Sequence, residues 1–184
     1  MVSPVQRLTG AFPPPAAPRA HDWRRVESRL GTRLPADYKE LIDTYGGGWF
    51  DQAIWVLEPG SSLEHYDLLA ENEGRMEAIS RLWELGEPRP AELAAEDSRV
   101  IAWALTEDGE HLYWLVRPRQ DPGSWTVLVK EGRGPHWEHH RMSCTEFLVS
   151  VLVTGDAESE IFDELPLDDH HFRSTSGFAV PDVP

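Results

Sequence analysis

Cysteine is almost missing from this chain. Cys144 is the only one in 184 residues, which excludes an intramolecular disulfide and fits a reducing compartment, with the cytoplasm the simplest choice. No apolar run approaches the roughly 18–20 residues of a membrane span. Met1 to Arg19 has no continuous apolar stretch, so a signal peptide is not expected. Basic charge is scarce as well. The chain has 17 Lys and Arg against 32 Asp and Glu, a formal net charge of -15. That balance argues against direct binding to nucleic acid, whose protein footprint is basic, and against docking on anionic lipid. The deficit is uneven: residues 1–48 carry a net +2, residues 49–184 a net -17, and no Lys or Arg lies between Arg141 and Arg173. Such a surface attracts basic partners and speeds their encounter at low salt. Solubility alone is the plain alternative.

What is present reads as one soluble domain, with 40% hydrophobic residues and enough length for a core without disulfides or metal. Residues 1–20, with Pro13-Pro14-Pro15 and Pro18, suggest a mobile N-terminal arm outside the core. Asp22 is placed to cap a helix carrying Trp23, Val26 and Leu30 on one face, stopped at Gly31. A second helix starts at Leu34-Pro35, with proline at its first position, Tyr38, Leu41, Ile42 and Tyr45 at i, i+3, i+4, i+7 spacing and Gly46-Gly47-Gly48 as its stop. Trp49-Phe50-Asp51 leads into a strand over Ala53–Leu57, closed by Pro59-Gly60. Residues 61–85 are expected to be helical, weakened at Gly74.

Strand-like runs follow at Val100–Leu105, His111–Val116 and Trp125–Lys130, with a poorly patterned fourth around His136–Met142. Asp108-Gly109 signals a tight hairpin between the first two. Ser143 and Glu146 have capping-box spacing ahead of a helix with Phe147, Leu148, Val151 and Leu152 on its apolar face, ended by Gly155. Residues 156–184 form an acidic tail without periodicity. The element order predicts an α+β fold, a single domain over residues 21–155 whose antiparallel sheet of about four to six strands carries packed helices.

Several motifs invite chemistry and do not complete it. Cys144 sits just inside a helix N-terminus, but no feature supplies an orienting base. His136, His139, His140, His170 and His171 lie near acids without any metal-ligand spacing. Gly46-Gly47-Gly48 follows a helix and lacks the lysine of a phosphate loop. Adjacent carboxylates such as Glu71 with Glu73 suit a solvated face as well as a site. No catalytic residue, metal ligand or cofactor is expected.

The stretch from Trp23 to Gly48 fixes aromatics, glycines and a proline in register: Val26-Glu27, Leu30-Gly31, Leu34-Pro35, Tyr38-Lys39, Leu41-Ile42, Tyr45-Gly46. It resembles the opening of the SUKH superfamily, which includes fungal cell-wall-synthesis regulators of the Smi/Knr type. The strand ending at Pro59, the hairpin with Gly109, Tyr113-Trp114 and the helix with Phe147-Leu148 agree over roughly residues 22–155. Its apolar helical spacing is also what core packing alone requires, and a fold does not fix a function.

The resemblance implies a SUKH-like, non-enzymatic binding domain. Bacterial members resemble immunity proteins that neutralise toxins, often nucleases, and fungal members resemble interaction hubs. A nuclease presents a basic site that carboxylates can occupy. The candidate partner-binding residues are therefore Asp67, Glu71, Glu73 and Glu77 around the third predicted helix, and Asp156, Glu158 and Glu160 at the start of the tail. Trp49 is a candidate interface anchor, with core packing as its alternative. The expected partner is a protein, a basic toxin domain in the leading reading and a regulatory partner in the other.

Overall fold

A computed structural model describes residues 2–17 and 19–178. Three helices come first: α1 (Pro4–Ala11), α2 (Trp23–Leu30) and α3 (Ala36–Tyr45). The hairpin of β1 (Gly48–Phe50) and β2 (Ile54–Val56) follows, then α4 (Leu68–Asn72) and α5 (Arg75–Glu84). The chain continues through β3 (Arg99–Leu105), β4 (His111–Val116), β5 (Thr126–Lys130) and β6 (Trp137–His140). It ends with α6 (Cys144–Val149) and β7 (Phe172–Ser174).

All seven strands form one antiparallel sheet in the order β6-β5-β4-β3-β2-β1-β7. The fold is α+β, with more strands than the about four to six that the element order predicts. The additional ones are β1, which the sequence pattern presents as a lead-in, and β7, which lies in the segment without periodicity. Gly48 permits the second: a Cβ there would collide with the Phe172 ring and the Arg173 carbonyl across the β1–β7 pair.

Successive strand residues point to opposite faces, and both faces are covered. Trp114 meets Tyr38 of α3 edge-on at 4.9 Å, while its neighbour Tyr113 turns the other way, toward Arg75 of α5. A bulge between Ala102 and Ala104 accommodates Trp103, which packs on Trp114 and on Phe147 of α6. On the opposite side, the Asn72 side chain of α4 donates to the Ala102 carbonyl and accepts from the Ala102 amide. The local signals hold where the chain can read them. Asp22 caps α2, Gly31 and Gly155 take positive φ after their helices, and Ser143 with Glu146 makes both bonds of a capping box. Pro35 occupies the cap position of α3, so the helix starts one residue later, at Ala36. Gly74, at φ 70°, splits the expected single helix into α4 and α5.

The reading of residues 1–20 as a mobile arm outside the core is corrected by α1. Ser3 and Gln6 form a capping box and Pro4 takes the first turn, where its missing N–H costs nothing. Val5, Leu8 and Phe12 are buried, and Tyr45 donates its hydroxyl proton to the Phe12 carbonyl at 2.7 Å. The acidic segment after α6 is likewise built into the fold. Phe162 packs on Phe147, and two carboxylates of the sheet fasten the segment at both ends. Glu138 of β6 accepts from the Ser159 hydroxyl at 2.7 Å and from the Glu160 and Ile161 amides at 2.8 and 3.1 Å. Asp51, its side chain wholly buried, accepts from the His171 amide at 2.7 Å and lies 2.8 Å from His170 Nδ1. The core thus draws on residues from both sides of the expected boundaries at 20 and 155. Pro18 and residues 179–184 lie outside the described residues.

Burial alone would raise the Glu138 carboxyl. The His140 imidazole, the Ser159 hydroxyl and the Ile161 and Glu160 amides outweigh it and hold the group at about 2. A carboxyl depressed below its usual 4.5 stabilises the fold above that value, and the contribution drains away as pH falls toward 2. Glu138→Gln is therefore expected to remove on the order of 2–3 kcal/mol of the stability change between pH 5 and pH 2. Denaturant titrations across that range check it, and a pH dependence identical to wild type contradicts the anchoring role. Phe12→Ala is expected to cost about 3–5 kcal/mol by leaving a cavity beside Phe50 and His170. A loss below about 1 kcal/mol would restore the arm to the exterior.

Candidate binding surface

The eight residues that the sequence nominates fall in separate places. Asp67 caps α4, accepting from the Leu69 and Ala70 amides at 2.8 Å each and from the Gly60 amide. Glu71 turns inward to pair with Arg75 and lies 3.2 Å from His111 Nε2, with its side chain 12% exposed. Both are committed to the fold. Glu73 and Glu77 are exposed along a groove between α2 and α5. Asp156 accepts from the Ser150 and Thr154 hydroxyls, which hold its carboxyl below the usual range. Glu158 and Glu160 are exposed, and Glu160 comes within 4.0 Å of His136. Trp49 is half-buried on the sheet, stacked on Trp55 at 5.4 Å, with Phe178 tilted toward it and Arg173 over the Phe178 ring. Phe50 and Trp55 are core residues.

Carboxylates do converge elsewhere. A groove of about 340 Å³ opens between the β1–β2 turn, the β3–β4 hairpin and residues 161–167. Glu107, Asp108 and Glu110 line one wall and Asp163 and Glu164 the other, with Asp51 at its base. No Lys or Arg lines it. Ile161, Phe162, Leu165 and Leu167 supply an apolar strip, and Leu167 is 44% exposed.

The local geometry follows from the sequence. Asp51 and Gln52 adopt positive φ, 52° and 56°, which turns β1 into β2 with the twist a hairpin needs. Gly109, at φ 99°, turns β3 into β4, and the Thr106 amide closes the loop on the Glu110 carbonyl at 3.0 Å. Glu107, Asp108, Asp163 and Glu164 remain exposed. These four like charges around an apolar strip repel one another, and a cationic side chain placed among them relieves that repulsion.

Sequence reasoning passed over Glu107, Asp108 and Glu110 because Asp-Gly reads first as a turn. It places Asp163 and Glu164 among the acids of the tail, apart from the hairpin acids that they face. The C-terminal segment is tied to the base of the groove by the long-range bond between Asp51 and His170, which spans 119 residues.

Other chemistry-bearing groups are dispersed. Cys144 is buried, and burial with the Asp37 carboxylate beside it pushes the thiol well up, away from the reactive thiolate. His139 faces Glu92, His140 faces Glu138 and His170 faces Asp51. Among the described residues no three His, Cys, Asp or Glu side chains converge as metal ligands.

A family model described as SMI1-KNR4 cell-wall, of the SUKH group, matches residues 20–148. No curated protein and no solved structure matches the chain. The match runs from the lead into α2 to the penultimate residue of α6, so it holds the β1–β2 turn and the β3–β4 wall of the groove. The opposing wall, residues 161–167, lies beyond it. With most of the chain matched and an antiparallel sheet carrying packed helices, the protein belongs to the SMI1-KNR4 family of SUKH domains.

Proposed function

We propose that the protein is an immunity-type binding module that neutralises a basic toxin domain, in the leading case a nuclease, by filling its active cleft. The observation that carries this reading is the groove lined by six carboxylates with no cation among them. Family membership supports it, since SUKH domains are generally non-enzymatic immunity or interaction modules. A nuclease cleft holds phosphates with Arg and Lys. The exposed Glu107, Asp108, Asp163 and Glu164 would take the place of those phosphates, making charge-assisted hydrogen bonds with guanidinium and ammonium groups. The net charge of -15 would draw the partner in before contact. Leu167 would supply apolar contact at the rim. Inhibition is then occlusion: no bond is made or broken. The single buried thiol suits action in the cytoplasm.

The test is co-expression with the toxin domain encoded beside the gene, paired with co-purification. Wild type is expected to restore growth and to form a stable complex whose association rate falls as salt rises. The triple variant Asp108→Lys, Asp163→Lys, Glu164→Lys alters only exposed side chains. It is expected to fold normally and to slow association by at least about tenfold. Protection that survives this reversal undiminished would exclude the groove as the contact. Several weak partners and no rescue would favour a regulatory interaction module.

A further inference from the structure

A second groove lies between α2 and the α4–α5 pair, near the Arg99 end of β3. The β3–β4 wall of the acidic groove sits past the other end of that strand. It joins two hollows, of about 490 and 320 Å³, that share Arg29 and Leu69. Its floor is apolar: Val26, Leu30, Leu69, Met76 and Val100. Arg25 and Arg29 form one rim, one helical turn apart on α2, and Arg99 stands in the same hollow as Arg29. Glu73 and Glu77 form the other rim. Asp22 closes one end, its carboxylate held by the Arg25 amide. Arg19 beside it is occupied by the Pro59 and Gly60 carbonyls, and His21 by Glu58.

The three rim arginines are the informative feature. In a chain with 32 acids, Arg19, Arg33, Lys39, Arg75 and Lys130 all lie within ion-pair distance of carboxylates of their own chain. Arg25, Arg29 and Arg99 are three of the twelve arginines without such a partner among the described residues, and they are the three of that set that gather along these apolar hollows. A guanidinium left free next to an open apolar floor is suited to a carboxylate brought by something else.

We propose that this groove is a second docking surface and that its occupant is an amphipathic helix of a partner protein. That helix carries an apolar stripe, Asp or Glu along one edge and Lys or Arg along the other. The lining supplies three kinds of side chain: cationic from α2 and the start of β3, apolar from the floor, and anionic from around the start of α5. A helix matches them with three rows of its own, whereas a strand offers only two alternating faces. The eight residues of α2 span about 12 Å, room for two turns of a partner, and Arg25 to Arg29 is a rise of about 6 Å, the spacing of carboxylates at i and i+4. The inference stands apart from the acidic groove and its toxin.

The probe is a synthetic helix of about 14 residues with Leu on one stripe, Glu at i, i+4 spacing on one edge and Lys on the other. Titration by NMR or anisotropy is expected to give a saturable, salt-sensitive complex whose shifts map to α2 and α5. The double substitution R25E/R29E changes two exposed side chains and is expected to leave the melting temperature unchanged while weakening this peptide by at least roughly tenfold. A peptide with Lys on both edges is expected to bind R25E/R29E and not wild type. The acidic-groove triple variant is expected to bind the first peptide as wild type does, which separates this surface from the toxin-binding one. Absence of saturation at millimolar peptide, shifts on another face, or indifference to R25E/R29E would each overturn the proposal.

Discussion

Two buried carboxylates, Asp51 in the β1–β2 turn and Glu138 in β6, hold the C-terminal segment through hydrogen bonds. The Asp51 side chain is fully buried and Glu138 nearly so, and a buried carboxylate without donors costs several kcal/mol. Asp51 takes the His171 amide, with the His170 ring beside it, and Glu138 adds to the His140 ring of its own strand the Ser159 hydroxyl and the Glu160 and Ile161 amides. The domain and its acidic tail therefore fold as one unit. β7 then completes the sheet beside β1, and Phe162 reaches Phe147 of α6.

That constraint also creates the acidic groove. Residues 161–167 bring Asp163 and Glu164 opposite Glu107, Asp108 and Glu110 only because the segment is fastened at both ends. The large negative charge is not one uniform face. Asp37, Asp67 and Glu71 cap helices, join α3 to α6 or pair with neighbouring cations, and so belong to the architecture. Some of the exposed acids line the groove between the β3–β4 hairpin and the tail, and others the α5 rim of the second groove, while Glu64, Glu96, Asp97, Asp168 and Asp169 are exposed outside both. Charge segregation in the folded state, more than net charge, is what gives the domain distinct surfaces to offer.

The sequence made the local features readable. Caps at Asp22 and Ser143, the stop at Gly31, the hairpin at Gly109 and the apolar stripe of α3 are set by residues within a few positions of one another. Features that need distant partners were not readable in the same way. The three residues of β1 and of β7 carry no strand period of their own: β1 is a strand between β2 and β7, and β7 is one because β1 lies beside it. For α1 a signal is present, the Ser3–Gln6 spacing with Pro4 just after the cap, and the proline run that follows the helix obscures it. Composition located the acids of the site without locating the site, because the segment bearing one wall is tied to the base through a contact 119 residues long. Trp49 and Trp55 illustrate the same limit: neighbours in register across a hairpin, one is half-open and the other wholly covered.

The most direct test of this account is native-state hydrogen exchange at the Glu160, Ile161 and His171 amides. If Glu138 and Asp51 hold the segment as the structure describes, these three amides are protected and exchange only with unfolding of the sheet, at rates close to those of β4 and β5. Exchange at the speed of an unstructured chain while β4 and β5 stay protected would detach the tail from the fold and, with it, one wall of the acidic groove.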